Sequence, residues 1–248
     1  MRVADRFSHS ARRISWCFLQ PKAGILSAGG NAASELLDKE RAMFNVCPQC
    51  GEYSVEKAID DSGPLAICPF CGYAHPFLQL PLFLLTGPSG VGKTTVCLEL
   101  TSLLRECVIL ESDILWGAVP ATAENNYQDY RNVWLRVAKN VGQSGRPVVL
   151  CGTAIPEQFE TCPERRYFST LHYLALVCDD QLLEERLKQR PAWRRSGSAE
   201  NIKTMIHFNQ WLKEHACTTR PPMTLLDTSH RSLPETVREA AQWIRLRL

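Results

Sequence analysis

The chain has 248 residues, a net charge of +2, 45% hydrophobic and 22% charged residues. That composition suits a soluble globular protein and excludes a polycation that holds nucleic acid by bulk charge. The length allows one sizeable α/β domain plus a small module, and the longest apolar run, residues 77–85, is broken by Gln79 and Pro81 and is too short to cross a bilayer.

Residues 1–42 form the first segment. They are basic early on, with Arg2, Arg6, Arg12, Arg13 and Lys22 against Asp5 in the first thirty positions. The apolar residues after Arg12-Arg13 end too soon, at Pro21, for an export signal, and an organelle presequence is the other processing alternative. The expectation is a disordered basic tail, with Met43 a possible start of the functional chain.

Residues 43–78 follow, and they hold Cys47-Pro48-Gln49-Cys50-Gly51 and Cys68-Pro69-Phe70-Cys71-Gly72. The spacing C-x2-C-x17-C-x2-C places two thiol pairs on two turns that can close a tetrahedral cage around zinc. Between them a hairpin is expected, turning at residues 60–64. The module resembles a zinc ribbon, and with four cysteines closing the cage, His75 is read as surface. The other seven of the eleven cysteines are scattered, mostly in apolar runs, as expected of free thiols in a reducing cytosol.

Residues 79–248 form the third segment, organised around Gly87-Pro88-Ser89-Gly90-Val91-Gly92-Lys93-Thr94-Thr95. The pattern G-x-x-x-x-G-K-T needs glycines so that successive N–H groups turn toward one anion, a helix N-terminus behind them, a lysine for the β- and γ-phosphates and a hydroxyl for Mg2+. Lys93 and Thr94 fill the last two roles, and Lys93 is expected to face solvent. The apolar run before the loop reads as a buried strand, and Val96, Leu100, Leu103 and Leu104 after it have helical spacing.

A second strand ends in Glu111-Ser112-Asp113, where acids suit Mg2+ or a substrate hydroxyl. Residues 116–126 read as a loop, followed by a helix marked by Tyr127, Tyr130, Trp134, Val137, Ala138 and Val141. The third strand, residues 147–151, ends in Gly152-Thr153 with no acid, so the usual Walker-B aspartate is missing. After a fourth strand, Asp179 caps a helix carrying Arg186 and Arg190, which leads into Pro191-Ala192-Trp193-Arg194-Arg195. A helix over residues 199–215, a strand over 223–227, and a last helix opened by the Ser232–Glu235 capping box complete the chain.

From Leu82 onward the chain resembles the P-loop nucleoside and nucleotide kinase group of small-molecule phosphotransferases. The resemblance rests on the phosphate loop, on Glu111-Ser112-Asp113, on the arginine-rich stretch from Arg186, and on Asp227-Thr228-Ser229. It implies a three-layer α/β fold with a five-stranded parallel sheet of order 2-3-1-4-5, and a lid that closes over ATP. It implies an enzyme that uses ATP and Mg2+, with Lys93 on the phosphates and Asp113 on the acceptor. Arg190 and Arg194 then neutralise charge during transfer, and Asp227–Ser229 lies near adenine. The expected partners are ATP and a small-molecule acceptor, with no membrane. The alternative is a nucleotide-binding ATPase module whose ribbon contacts nucleic acid or a protein.

Overall fold

The structure, a computed structural model, describes residues 45–60, 62–115, 117–119, 127–191 and 197–248. The tail of residues 1–42, Met43, most of the 116–126 loop, and residues 192–196 with Arg194 lie outside the described residues.

The larger domain is built on five strands, of which the three central ones are buried on both sides, as a sheet covered by helices requires. The five are β4 (Leu82–Thr86), β5 (Val108–Glu111), β6 (Val148–Cys151), β7 (Leu171–Val177) and β8 (Thr224–Asp227). They pair in parallel in the order β5-β6-β4-β7-β8. Counted from β4, that is the expected order 2-3-1-4-5.

Alternate residues feed opposite layers. Phe83, Leu85, Leu174 and Leu176 pack under α1 (Lys93–Leu103) and α6 (Leu233–Arg245). Leu82, Leu84, Tyr173 and Ala175 share the other cluster with Trp134, Leu135 and Ala138 of α2 (Gln128–Gly142) and Phe159 of α3 (Pro156–Glu160). Between β7 and β8 come α4 (Asp180–Lys188) and α5 (Ala199–His215). Seventeen residues make α5 about 25 Å long. It contributes Ile202 to the first cluster and Leu212 to the second.

The expected caps are present. The Asp179 carboxylate accepts from the Gln181 and Leu182 N–H groups, at 2.9 and 3.2 Å. Glu235 accepts from the Ser232 N–H at 2.8 Å. The short α3 and the 3-10 turn Pro163–Tyr167 were not expected from the sequence. Each is a single tight turn opened by proline, too short to show a period.

The N-terminal module is a three-stranded antiparallel sheet, β1 (Ala58–Asp60), β2 (Leu65–Ile67) and β3 (Ala74–Pro76). The first two strands are the expected hairpin. One feature corrects the sequence reading. His75 is buried, not on the surface, and its Nε2 lies 2.9 Å from Nζ of the fully buried Lys57. The module is also docked: it belongs to one compact unit with the larger domain. Tyr167 makes the joint. Its hydroxyl accepts from the Lys57 N–H at 3.0 Å and donates to the Val55 carbonyl at 2.6 Å. Phe77 meets the Tyr167 ring edge-on and the Lys139 ammonium sits 4.0 Å from its centroid.

Tyr167→Phe removes both hydroxyl bonds while keeping the ring. We expect a loss of about 1–3 kcal/mol, read as a lower midpoint in urea unfolding followed by tryptophan fluorescence. An unchanged midpoint would mean the two bonds do not hold the joint.

Candidate active site and cysteine cage

The phosphate loop runs from the end of β4 into α1. Gly87, Gly90 and Gly92 have φ of 140°, 88° and 107°, in the region that disfavours a side chain. At Gly87 the constraint is absolute, because a Cβ would run into the carbonyl oxygen of Leu176 in β7. Thr86 fixes the neighbouring edge: its hydroxyl donates to the Ala154 carbonyl at 2.9 Å and accepts from the Ala154 N–H at 2.8 Å. The carboxyl ends of β4 and β6 are thereby held together beside the loop.

A cleft of about 300 Å³ opens there, lined by Ser89, Gly90, Gly92, Lys93, Thr94, Thr95, Glu111, Asp113, Arg186 and Arg190, with Cys151, Gly152 and Thr153 at its β6 side. The phosphate-loop residues, Asp113 and Arg190, singled out separately in the sequence, thus meet in one place. Arg194 lies outside the described residues.

Lys93 departs from expectation. It is half-buried, not solvent-facing, and its ammonium donates to the Gly87 and Pro88 carbonyls at 2.8 and 3.0 Å. Burial lowers its pKa, opposed by the nearby Cys151 and Asp113.

Glu111 carries a role that sequence spacing left undivided. Thr94 Oγ1 donates to Glu111 Oε1 at 2.5 Å, so this carboxylate is tied to the phosphate loop's hydroxyl. Asp113, two residues on, is exposed in the 3-10 turn Ser112–Leu115. The bland sequence signal, an acid at the last position of a strand, becomes informative only once the strand is known to abut α1.

A second cavity of about 290 Å³ adjoins the loop on its other side. It is lined by Gly92, Thr95, Arg186, Thr228, Arg231 and Thr236 among others. The stretch after β8 is therefore next to the phosphate loop.

Residues 84–205, just under half of the chain, match a family model described as an AAA domain. Among solved structures, a sugar kinase from Janibacter sp. HTCC2649 aligns with a TM-score of 0.50 at 14% identity, covering 68% of this chain and 95% of that one. The tunicamycin resistance protein of Deinococcus radiodurans aligns with a TM-score of 0.50 at 17% identity, covering 67% and 96%. The chain has a P-loop kinase-like fold. A gluconokinase from Sinorhizobium meliloti 1021 is 20% identical with a TM-score of 0.47, covering 68% and 94%. No curated protein matches the sequence. Among the described residues, no helix is long and apolar enough to cross a membrane.

The cysteine cage lies apart from the cleft, in the N-terminal module. The four sulfurs of Cys47, Cys50, Cys68 and Cys71 lie within 4.8 Å of one another. Cys47 and Cys71 sulfurs are 3.7 Å apart, and Cys50 and Cys68 sulfurs 3.8 Å. A regular tetrahedron with metal–sulfur bonds of about 2.3 Å has edges of about 3.8 Å. The cage is thus compatible with zinc in size as well as in ligand type. Gly51 and Gly72 follow each second cysteine at φ of 76° and 72°, which lets each turn close.

With zinc in this cage, a strong chelator or the Cys50→Ser, Cys71→Ser double variant should unfold the module. We expect loss of amide protection across residues 45–76 in hydrogen exchange, and about one zinc per chain in metal analysis of the untreated protein. Metal-free protein with full protection would contradict this.

Proposed function

We propose that the chain is a phosphotransferase that moves the γ-phosphoryl group of ATP to a hydroxyl of a small-molecule acceptor. The observation that carries this is the convergence in one cleft of the phosphate loop, two carboxylates of different setting, and two arginines. The fold shared with a sugar kinase supports it.

The loop amides and Lys93 bind the phosphates. Lys93 already donates to two carbonyls, so engaging phosphate exchanges acceptors and does not require a new position. Mg2+, held from Thr94, would offset charge on the β- and γ-phosphates. Glu111 fits the outer side of that site because its carboxylate already orients the Thr94 hydroxyl. It supplies the acid that the end of β6 lacks. Asp113 is then left for the acceptor, to orient the hydroxyl and take its proton as transfer proceeds. Arg186 and Arg190, one helical turn apart on the cleft wall, meet the charge on the transferred group, and we assign Arg194 to the same task. The cavity at Thr228 and Arg231 suits the adenosine moiety. We assign residues 43–78 to a structural zinc ribbon and 79–248 to the transferase domain.

The alternative in which the ribbon grips nucleic acid is weakened by charge. Residues 45–78 carry Glu52, Glu56, Asp60 and Asp61 against Lys57, which is fully buried. A phosphate backbone is repelled by such a surface.

Lys93→Ala should lower phosphoryl transfer by at least about 10²-fold, with the fold retained by circular dichroism. Transfer would be followed with labelled ATP over a metabolite panel. A folded Lys93→Ala protein with full activity would overturn the nucleotide site.

The two acids separate by their variants. Asp113→Asn should lower turnover by roughly 10²–10⁴ while Mg-dependent ATP affinity stays near normal. Glu111→Gln should weaken Mg-dependent ATP binding by about 10–100-fold. The reverse pattern would exchange the two assignments, and unchanged turnover in Asp113→Asn would return acceptors that are already phosphorylated, which need no base, to consideration.

A further inference from the structure

Gly152 follows the last residue of β6, and Ser112 follows the last residue of the neighbouring β5. The two strands pair in parallel up to Glu111 and Cys151. A side chain on Gly152 would put its Cβ 2.8 Å from Ser112 Cβ, and closer still to Ser112 Oγ. Neighbouring strands ordinarily stand about 4.8 Å apart. The turn Ser112–Leu115 therefore leans across the end of β6, into the space a side chain at Gly152 would fill. Gly152 is not at positive φ, so glycine is required there for space and not for conformation. This is the strand end at which the sequence lacks an acid, and no side chain fits it.

The end of β6 cannot yield to such a clash. The Gly152 N–H donates to the Leu85 carbonyl at 3.1 Å. Two residues on, Ala154 exchanges two hydrogen bonds with the Thr86 hydroxyl. Both partners belong to β4, the middle strand. An added atom thus pushes the Ser112 turn, which carries Asp113. Glu111, one residue before the turn, is tied to Thr94.

A second hold on the turn comes from α2. The Tyr130 hydroxyl donates to the Ser112 carbonyl. Tyr130 is buried, and burial raises its pKa, so the hydroxyl keeps the proton it donates. Trp134 meets the Tyr130 ring edge-on, with centroids 6.3 Å apart, which restricts the ring. Ser112, Tyr130, Gly152 and Thr153 line one small cavity of about 30 Å³, and Gly152 and Thr153 also line the cleft.

We infer that Gly152 and Tyr130 are positioning residues for Asp113. The bare end of β6 lets the Ser112 turn lean in, and the Tyr130 hydroxyl holds it there. This rests on the phosphotransferase reading for the task of Asp113, but not for its position. Displacing the turn should slow the chemical step and spare nucleotide binding. The phosphate loop and the Glu111–Thr94 contact both precede the turn in the chain and do not depend on it.

The test compares Gly152→Ala, Tyr130→Phe and the Gly152→Ala, Ser112→Gly double variant in the full chain. Turnover is read on the metabolite panel and Mg-ATP affinity by calorimetry. The Asp113 carboxylate is read by its carbon-13 resonance in aspartate-labelled protein, assigned by its absence in Asp113→Asn. Gly152→Ala should lower turnover by about 10²-fold, the cost of a misplacement of about 1 Å. Mg-ATP affinity should stay near normal and the Asp113 resonance should move. Ser112→Gly takes away the atoms that the new methyl meets, and should recover at least about 10-fold of the loss. Tyr130→Phe removes one hydrogen bond and should lower turnover by about 10-fold, again with Mg-ATP affinity near normal.

Three results would each overturn the proposal: an unmoved Asp113 resonance in Gly152→Ala, a loss of turnover that Ser112→Gly does not relieve, or Mg-ATP affinity that falls in step with turnover. Should Gly152→Ala fail to fold, Tyr130→Phe decides the matter by resonance, turnover and affinity. The two readings stay separable. If no member of the panel is phosphorylated, the phosphotransferase reading falls, and the Asp113 resonance alone decides the positioning. Turnover that is lost in Asp113→Asn but kept in both Gly152→Ala and Tyr130→Phe overturns the positioning alone.

Discussion

Gly87 has no room for a side chain, and the cleft follows from that. The strand β4 ends with its last turn pressed against the Leu176 carbonyl of β7, and Val91 Cγ1 would lie 3.1 Å from any Cβ. The chain can leave the sheet there only by curling tightly, through two further glycines at positive φ, into the start of α1 at Lys93. Because β4 is the middle strand, with β6 on one side and β7 on the other, the curl opens at the boundary between two halves of the sheet. Ligand clefts of open parallel sheets form at such boundaries because neighbouring connections diverge to opposite faces there. The loop, the end of β5 and the last turn of α4 are brought together by sheet order and by no local sequence signal.

Within that cleft the charges are sorted by backbone geometry. Glu111 is the last extended residue of β5 and reaches Thr94 on α1. At Ser112 the chain changes to a 3-10 turn, which rotates successive side chains by about 120°. Asp113 is thereby released into the open part of the cleft while Glu111 stays tied. Two carboxylates two residues apart, on one strand, would have pointed the same way. The change of secondary structure between them gives each a separate environment.

The elements that could be read from sequence are those with long periods and local signals. The 17-residue α5, the Asp179 and Ser232 caps and the apolar runs of β4, β6 and β7 each declare themselves within a short window. What was not legible depends on contacts far apart in the chain. The burial of His75 needs Lys57 beside it, and the tether on Tyr167 spans 110 residues to Lys57. Glu111 had been grouped with Asp113 because only the fold shows which of them faces Thr94. Lys93 was misplaced for a different reason: the motif alone does not show that the Gly87 and Pro88 carbonyls lie within reach of its ammonium.

The joint between ribbon and sheet domain joins two electrostatic requirements in one residue. Four thiolates around a divalent zinc ion carry a net charge of −2, which is expensive to bring against a protein surface. Lys57 is fully buried and feels the attraction of all four sulfurs, although burial still draws its pKa down. His75, lowered to about 4 by burial and then by the Lys57 charge, is neutral at pH 7 and accepts from the ammonium. The side chain of Lys57 thus offsets charge at the cage while its backbone N–H is fixed by the Tyr167 hydroxyl. The Tyr167 ring also faces Lys139 of α2, which with Arg136 pairs with Glu164. Lys57 and Tyr167 thus place the cysteine cage and α2 on either side of one joint.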